Sequence, residues 1–234
     1  MKKPWWGIIA AMILLSAAAQ SPKEGGTAQK NGVVGYWSFD GFDGKTVVDD
    51  SGNKLDGTIA GNIPTSTVGM VKNGLAFDGK TCIALGNNPK VNLKRMVTLA
   101  AWVKPDTFTG YPAIFGKGYE FGGAYSISIR EDGHLWFEID DAEKRRSYFD
   151  SETALKIGTW AHVAATYDGT VMQMYINGEL VGELEAPDLK IQASAEPLRI
   201  GWLGTHGYFK GMLDEVRLYD YALSQKEINA LAGK

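Results

Sequence analysis

The chain has 234 residues, 24 Lys+Arg against 27 Asp+Glu, a formal net charge of -3 and 44% hydrophobic residues. That apolar content supports a sizeable core and excludes wholesale disorder, while the near-neutral balance argues against nucleic acid as the main partner, because phosphate binding needs a concentrated basic surface. The one cysteine, Cys82, excludes a disulfide framework and a cysteine-ligated zinc site, and 29 glycines with 11% aromatics point to a turn-rich all-β protein.

In chain order, Lys2 and Lys3 precede an apolar run from Trp5 to about Leu15, and Ala17-Ala18-Ala19 follows. A basic start, an apolar stretch and an A-x-A site predict a signal peptide over residues 1–19, cut before Gln20. The run is shorter than the roughly 20 apolar residues of a membrane span. The mature chain is therefore expected to be exported, periplasmic or secreted, with no span left after cleavage. Residues 20–31 have no hydrophobic period and read as a flexible linker.

From Val33 onward, short strands alternate with turn signals. Val33 to Phe39 is an apolar and aromatic strand, and Met96 to Val103 is another, closed by Lys104-Pro105-Asp106. Tyr125–Ile129 and His134–Ile139 flank Asp132-Gly133. Trp160–Tyr167, Val171–Ile176 and Glu179–Leu184 are joined through Asp168-Gly169 and Asn177-Gly178. Such pairs predict type I′ hairpins, which need φ > 0 at both central residues. Pro197–Trp202 and Met212–Tyr219 complete the strong strands. Ser224-Gln225-Lys226-Glu227 is a capping box that opens one short helix, with Ile228 and Leu231 on one face. The pattern predicts an all-β, two-sheet antiparallel sandwich with a short C-terminal helix, in one domain over 32–234. Trp37, Trp102 and Trp160 are expected between the sheets, His162 as a locally bonded strand residue, and Cys82 as a buried thiol.

The order of the landmarks resembles the laminin-G-like jelly-roll family, within the concanavalin A-like lectin/glucanase fold. They run from Val34-Gly35-Tyr36-Trp37-Ser38-Phe39-Asp40 through Asp50-Ser51-Gly52-Asn53 and Gly74-Leu75-Ala76-Phe77-Asp78-Gly79 to Leu99-Ala100-Ala101-Trp102-Val103. Next come Gly158-Thr159-Trp160-Ala161-His162-Val163 and Tyr175-Ile176-Asn177-Gly178, and Asp214-Glu215-Val216-Arg217-Leu218-Tyr219 closes the series. The family includes glycan-binding modules, adhesion domains and proteins without an assigned ligand. The resemblance also implies a structural calcium, with Asp40 and Asp214 as side-chain ligands and the Asp50–Asn53 turn adding oxygen. Calcium takes six to eight oxygens, which these loops supply; the competing reading makes Asp50 and Asn53 turn formers.

Two further chemistries compete. Glu138-Ile139-Asp140-Asp141-Ala142-Glu143 resembles the catalytic strand of laminarinase-type glycoside hydrolases. Alternation places Glu138 and Asp140 on one face, and a bulge after Asp141 would return Glu143 to it. Against catalysis, the stretch runs into Lys144-Arg145-Arg146, read as a solvated loop tip. Carbohydrate recognition is favoured instead, because sugars stack on aromatic rings and bond to a few planar polar groups. Tyr119, Arg130, Trp202, His206 and Tyr208 are the candidate ligand-binding residues; the glycine-rich segments 116–123 and 201–208 hold four of them together with Phe121, Tyr111 is a further loop-proximal ring, and Arg130, Arg145 and Arg146 are candidates for carboxylate or sulfate groups. A protein-docking scaffold without sugar recognition is the third reading.

Overall fold

A computed structural model describes residues 32–118, 123–143, 145–204 and 207–234. The expected leader and linker, together with Tyr119, Phe121 and His206, lie outside the described residues.

The strands, in chain order, are β1 Val33–Trp37, β2 Thr46–Val47, β3 Gly57–Gly61, β4 Thr65–Val68, β5 Asn73–Asp78, β6 Thr81–Ala84, β7 Val97–Pro105 and β8 Ala113–Lys117. They continue as β9 Tyr125–Ile129, β10 His134–Asp140, β11 Arg146–Ala154, β12 Ala161–Tyr167, β13 Val171–Ile176, β14 Glu179–Glu185, β15 Leu198–Ile200 and β16 Lys210–Tyr219, and helix α1 spans Gln225–Leu231. One sheet has the order β14-β13-β12-β7-β16-β5-β4, with β1 also on β16; the other runs β11-β10-β9-β8-β15-β6-β3-β2. Neighbouring strands are antiparallel, and this is the jelly-roll sandwich expected.

Alternation sorts the side chains. Leu99, Val103, Val163 and Leu213 of the first sheet meet Ile83, Phe115, Ile127, Phe137 and Ile200 of the second in one core. Trp37 is fully buried there and meets Phe115 edge-on at 5.9 Å between ring centroids. Its indole N–H donates to the Leu55 carbonyl at 3.0 Å, so burial leaves no donor unpaid. Trp102 departs from expectation. Ala101 and Val103 take the inward positions, so Trp102 lies on the outer face of the first sheet, against His162 at 5.4 Å. Trp160 precedes β12 and is only partly buried.

The same outer face carries Ala100, Ala164, Tyr175 and Tyr219, on which Leu223 and Ile228 of the C-terminal segment pack. The two alanines leave room for the helix to approach. Ser224 and Glu227 form the expected capping box. In β16 a bulge at Glu215 (φ 53°) keeps Leu213 and Val216 both inward while Asp214 and Arg217 face out.

Two sequence expectations change. Only Asn177-Gly178 has positive φ at both positions; at Asp132-Gly133 and Asp168-Gly169 the glycine alone does. The reason is local: Asp132 accepts from the His134 N–H and Asp168 from those of Thr170 and Val171, so each aspartate closes its own turn. Secondly, Arg146 opens the nine-residue strand β11 and does not belong to a loop tip. A polar edge strand with mixed charges hides its period from hydrophobicity alone.

Candidate functional site

The helix covers the first sheet, so the outer face of the second is the surface to inspect. Leu135, Phe137 and Ile139 point into the core, which turns Trp136, Glu138 and Asp140 outward. Across the sheet, Tyr148 on β11 pairs with Glu138, Glu138 with Ser126 on β9, Ser126 with Gly116 on β8, and Gly116 with Arg199 on β15. From β10 to β15 this row spans three strand spacings, about 14 Å.

An arginine–tryptophan–tyrosine stack stands at each end. Trp136 lies parallel to Tyr148 (centroids 4.5 Å apart, 14°), with the Arg130 guanidinium 5.5 Å from the Trp136 ring. Trp202 lies parallel to Tyr208 (5.1 Å, 10°), with the Arg199 guanidinium at 5.3 Å. Each arginine is also held by an acid, Arg130 by Asp150 at 2.9 Å and Arg199 by Glu196 at 3.3 Å. The side chains left open are the tyrosines, 50% exposed at Tyr148 and 38% at Tyr208.

The floor between the stacks is small. A Cβ on Gly116 would stand 2.7 Å from the Ser126 Cβ, so that position takes no side chain. The Ser126 hydroxyl is buried without a hydrogen-bond partner, an unusual cost on a sheet face. Beside it, Trp136 Nε1 donates to Glu138 at 3.3 Å, and Arg146 forks onto Asp140 at 2.8 and 3.4 Å. Deeper in β8, Lys117 is fully buried and donates to Asn87 Oδ1 and the Glu196 carbonyl, both at 2.6 Å; burial pushes its pKa down to about 8.

Of the five ligand-binding candidates, Trp202 and Tyr208 come together in one stack, while Arg130 belongs to the other. Tyr119 and His206 lie outside the described residues. Trp136, Tyr148 and Arg199 were missed as site residues. Trp136 and Arg199 were legible, because each sits out of phase with its inward neighbours; Tyr148 was not, since the sequence predicts no strand over β11, whose first residue alone is expected in a loop tip.

The acidic stretch divides. Glu138 and Asp140 share a face as alternation requires, but Glu143 sits in the turn, 60% exposed, near Lys190 at 3.8 Å and Arg145 at 4.0 Å. Asp141 is buried and tied to Arg145 and to the Glu143 N–H. No bulge returns Glu143, so the three carboxyl groups of the hydrolase pattern are not assembled.

The four calcium candidates fall around two turns. Asp214 accepts from the Met70 and Val71 N–H groups, both at 2.8 Å, and Asp40 flanks the same turn, held by Lys72 Nζ and the Asn73 N–H, both at 3.0 Å. Asp50 accepts from the Ser38 N–H and hydroxyl. Asn53 donates to the Val33 and Val34 carbonyls and accepts from Lys90. A lysine or backbone N–H therefore occupies oxygens of Asp40, Asp50 and Asn53, and Asp214 Oδ1 alone is buried and unpartnered. Among the described residues no group of three or more His, Cys, Asp or Glu is placed to hold a metal. As a set, the four do not fit calcium, which needs six or more converging oxygens. Excess EDTA is expected to leave the melting temperature unchanged; a drop of several degrees, reversed by calcium, would restore the metal.

A jelly roll with an aromatic and arginine-lined sheet face is the class of protein these features define. The chain belongs to the Concanavalin A-like lectin/glucanases superfamily, whose family model matches residues 77–229. Pappalysin-1 of Mus musculus is 30% identical over 152 residues, 56% of this chain and 9% of that protein, so the match spans a small part of that relative. Domain 4 of AbnA, a GH43 extracellular arabinanase from Geobacillus stearothermophilus solved in complex with arabinotriose, has a TM-score of 0.70 at 23% identity, covering 86% of this chain and 98% of that one. The binding domain of botulinum neurotoxin DC, solved in complex with rat synaptotagmin II, has a TM-score of 0.67 at 16% identity, covering 87% and 51%. Among the described residues no helix is long and apolar enough to cross a membrane.

Proposed function

We propose that the mature domain is an exported, non-catalytic binding module that holds an oligosaccharide across the outer face of its second sheet. One observation carries the reading: two arginine–tryptophan–tyrosine stacks stand on the same sheet face, each leaving a tyrosine ring open to solvent. Sugars offer apolar faces to aromatic rings and hydroxyls to planar polar groups, and this face supplies both. The stacked tryptophans and their arginines fix Tyr148 and Tyr208, so little ordering entropy is lost when a sugar docks on them. The arabinotriose held by the arabinanase domain supports the same ligand class; the basic start, apolar run and A-x-A pattern within residues 1–19 support export.

The test is a glycan array probed with the exported chain, followed by titration of a ladder of oligosaccharides. Affinity is expected to rise with chain length until both stacks are bridged, with a single sugar bound weakly. An array without any retained glycan, together with capture of a protein partner, would replace this reading with the scaffold one.

A further inference from the structure

We propose a second ligand site, separate from the sheet face, that takes an amphipathic carboxylate: an anionic head on a hydrocarbon body. A cavity of about 510 Å³ opens at the end of the sandwich where the β14–β15 connection crosses it. Its floor is aliphatic, with Leu189 and Ile191 almost fully buried and Ala142 beside them. Lys94, Arg95 and Lys190 line it as well, with Asp188 as the one acid.

The walls are built before any ligand arrives. Tyr167, fully buried, accepts from the Leu189 N–H and donates to the Ala186 carbonyl, both at 2.9 Å. The Ile191 N–H donates to the Lys94 carbonyl at 3.0 Å, and the Ala142 N–H to the Lys190 carbonyl at 2.8 Å. The Asp188 N–H donates to the Gly169 carbonyl at 3.0 Å. These mutual bonds pair seven backbone groups of the lining and fix its shape, with the aliphatic side chains inside and the exposed cations at the mouth. Lys94 and Arg95 form no ion pair among the described residues, and Lys190 has only Glu143 at 3.8 Å. A volume in this range suits a small molecule. Sugar is the poorer occupant, because the lining holds no aromatic ring and no side-chain amide. A hydrocarbon body buries against Leu189 and Ile191 while its carboxylate meets three cations.

The probe is decanoate, titrated calorimetrically into the full chain, with decanol as its uncharged counterpart. Decanoate is expected to bind at least about tenfold more tightly than decanol and to weaken as ionic strength rises, because the cations are near solvent. The charge reversal Lys94→Glu/Arg95→Glu, at exposed positions, is expected to lower decanoate affinity by about tenfold with the melting temperature kept. Ala193→Trp, at the exposed rim, is expected to block entry. Absence of decanoate binding, equal affinity for decanol, or unchanged affinity in the charge-reversed variant would each overturn the site.

Discussion

Removing both exposed rings at once, Tyr148→Ala with Tyr208→Ala, is expected to lower oligosaccharide affinity by about a hundredfold or more, against about tenfold for each alone. Each tyrosine offers one sugar-stacking surface, and tenfold corresponds to about 1.4 kcal/mol, within the range of a single aromatic contact. The pair spans the row from β11 to the segment after β15, so a ligand long enough to touch both loses both contacts. A short ligand reaches one stack and responds to one substitution only. The fold tolerates these changes because the rings are half open to solvent and outside the core cluster. Trp136→Ala is a poorer probe: it strips a partner from Tyr148, Arg130 and Glu138 together. Calorimetric titration beside a thermal melt reads the result, and a double variant that binds within about threefold of the parent chain would remove the site from this face.

The second large effect concerns pH. His162 is buried on the outer face of the first sheet, with its Nδ1 unpartnered, and burial, assisted by Arg217, pushes its pKa down to about 4. The unfolded chain takes up that proton near pH 6.5 and the folded chain does not. This residue's contribution is therefore complete above pH 6.5 and lost as pH falls towards 4, about 3 kcal/mol in all. Asp214 acts in the opposite direction. Burial first, with Glu215 adding, raises its pKa to about 6, so the folded state holds a proton that the unfolded state releases. Its effect is to make the fold more stable as pH falls from about 6 towards 3.8. Over this shared window the two largely offset one another. Asp214→Asn, which keeps an acceptor for the Met70 and Val71 N–H groups, is expected to lose stability relative to the parent chain on going from pH 7 to 4. His162→Gln is expected to gain over the same interval. Denaturant melts across that range give the difference curves, and two curves parallel to the parent's would show that neither residue titrates as its burial dictates.

Much of this fold was legible before any coordinates. Strand periods at Tyr125–Ile129, His134–Asp140 and Val171–Ile176 come from side chains that must alternate between core and solvent, and that requirement is local. The capping box at Ser224 and the Asn177-Gly178 turn are likewise satisfied by atoms a few residues apart. Where a strand is polar and lies at an edge, the local signal fades, and β11 was not predicted for that reason.

Length, charge and a lone cysteine at the outset bounded the chain to a turn-rich β protein stabilised by its core, and neighbouring residues were enough to place most strands. Cys82 is buried and free, its thiol pushed up to about 11 by burial, in keeping with an inert core residue. Only the tertiary structure decided which partners meet across the sheets. Trp102 and Asp214 became neighbours on an outer face because β7 and β16 pair in one register. Asp40, Asp50 and Asn53 accept hydrogen bonds from donors that the fold delivers from elsewhere in the chain. Trp136 gained Tyr148 from one adjacent strand, while Trp202 gained Tyr208 across a loop. Alternation is a property of a strand alone, whereas a binding surface is a property of register, and register is set when both sheets bury their apolar faces together.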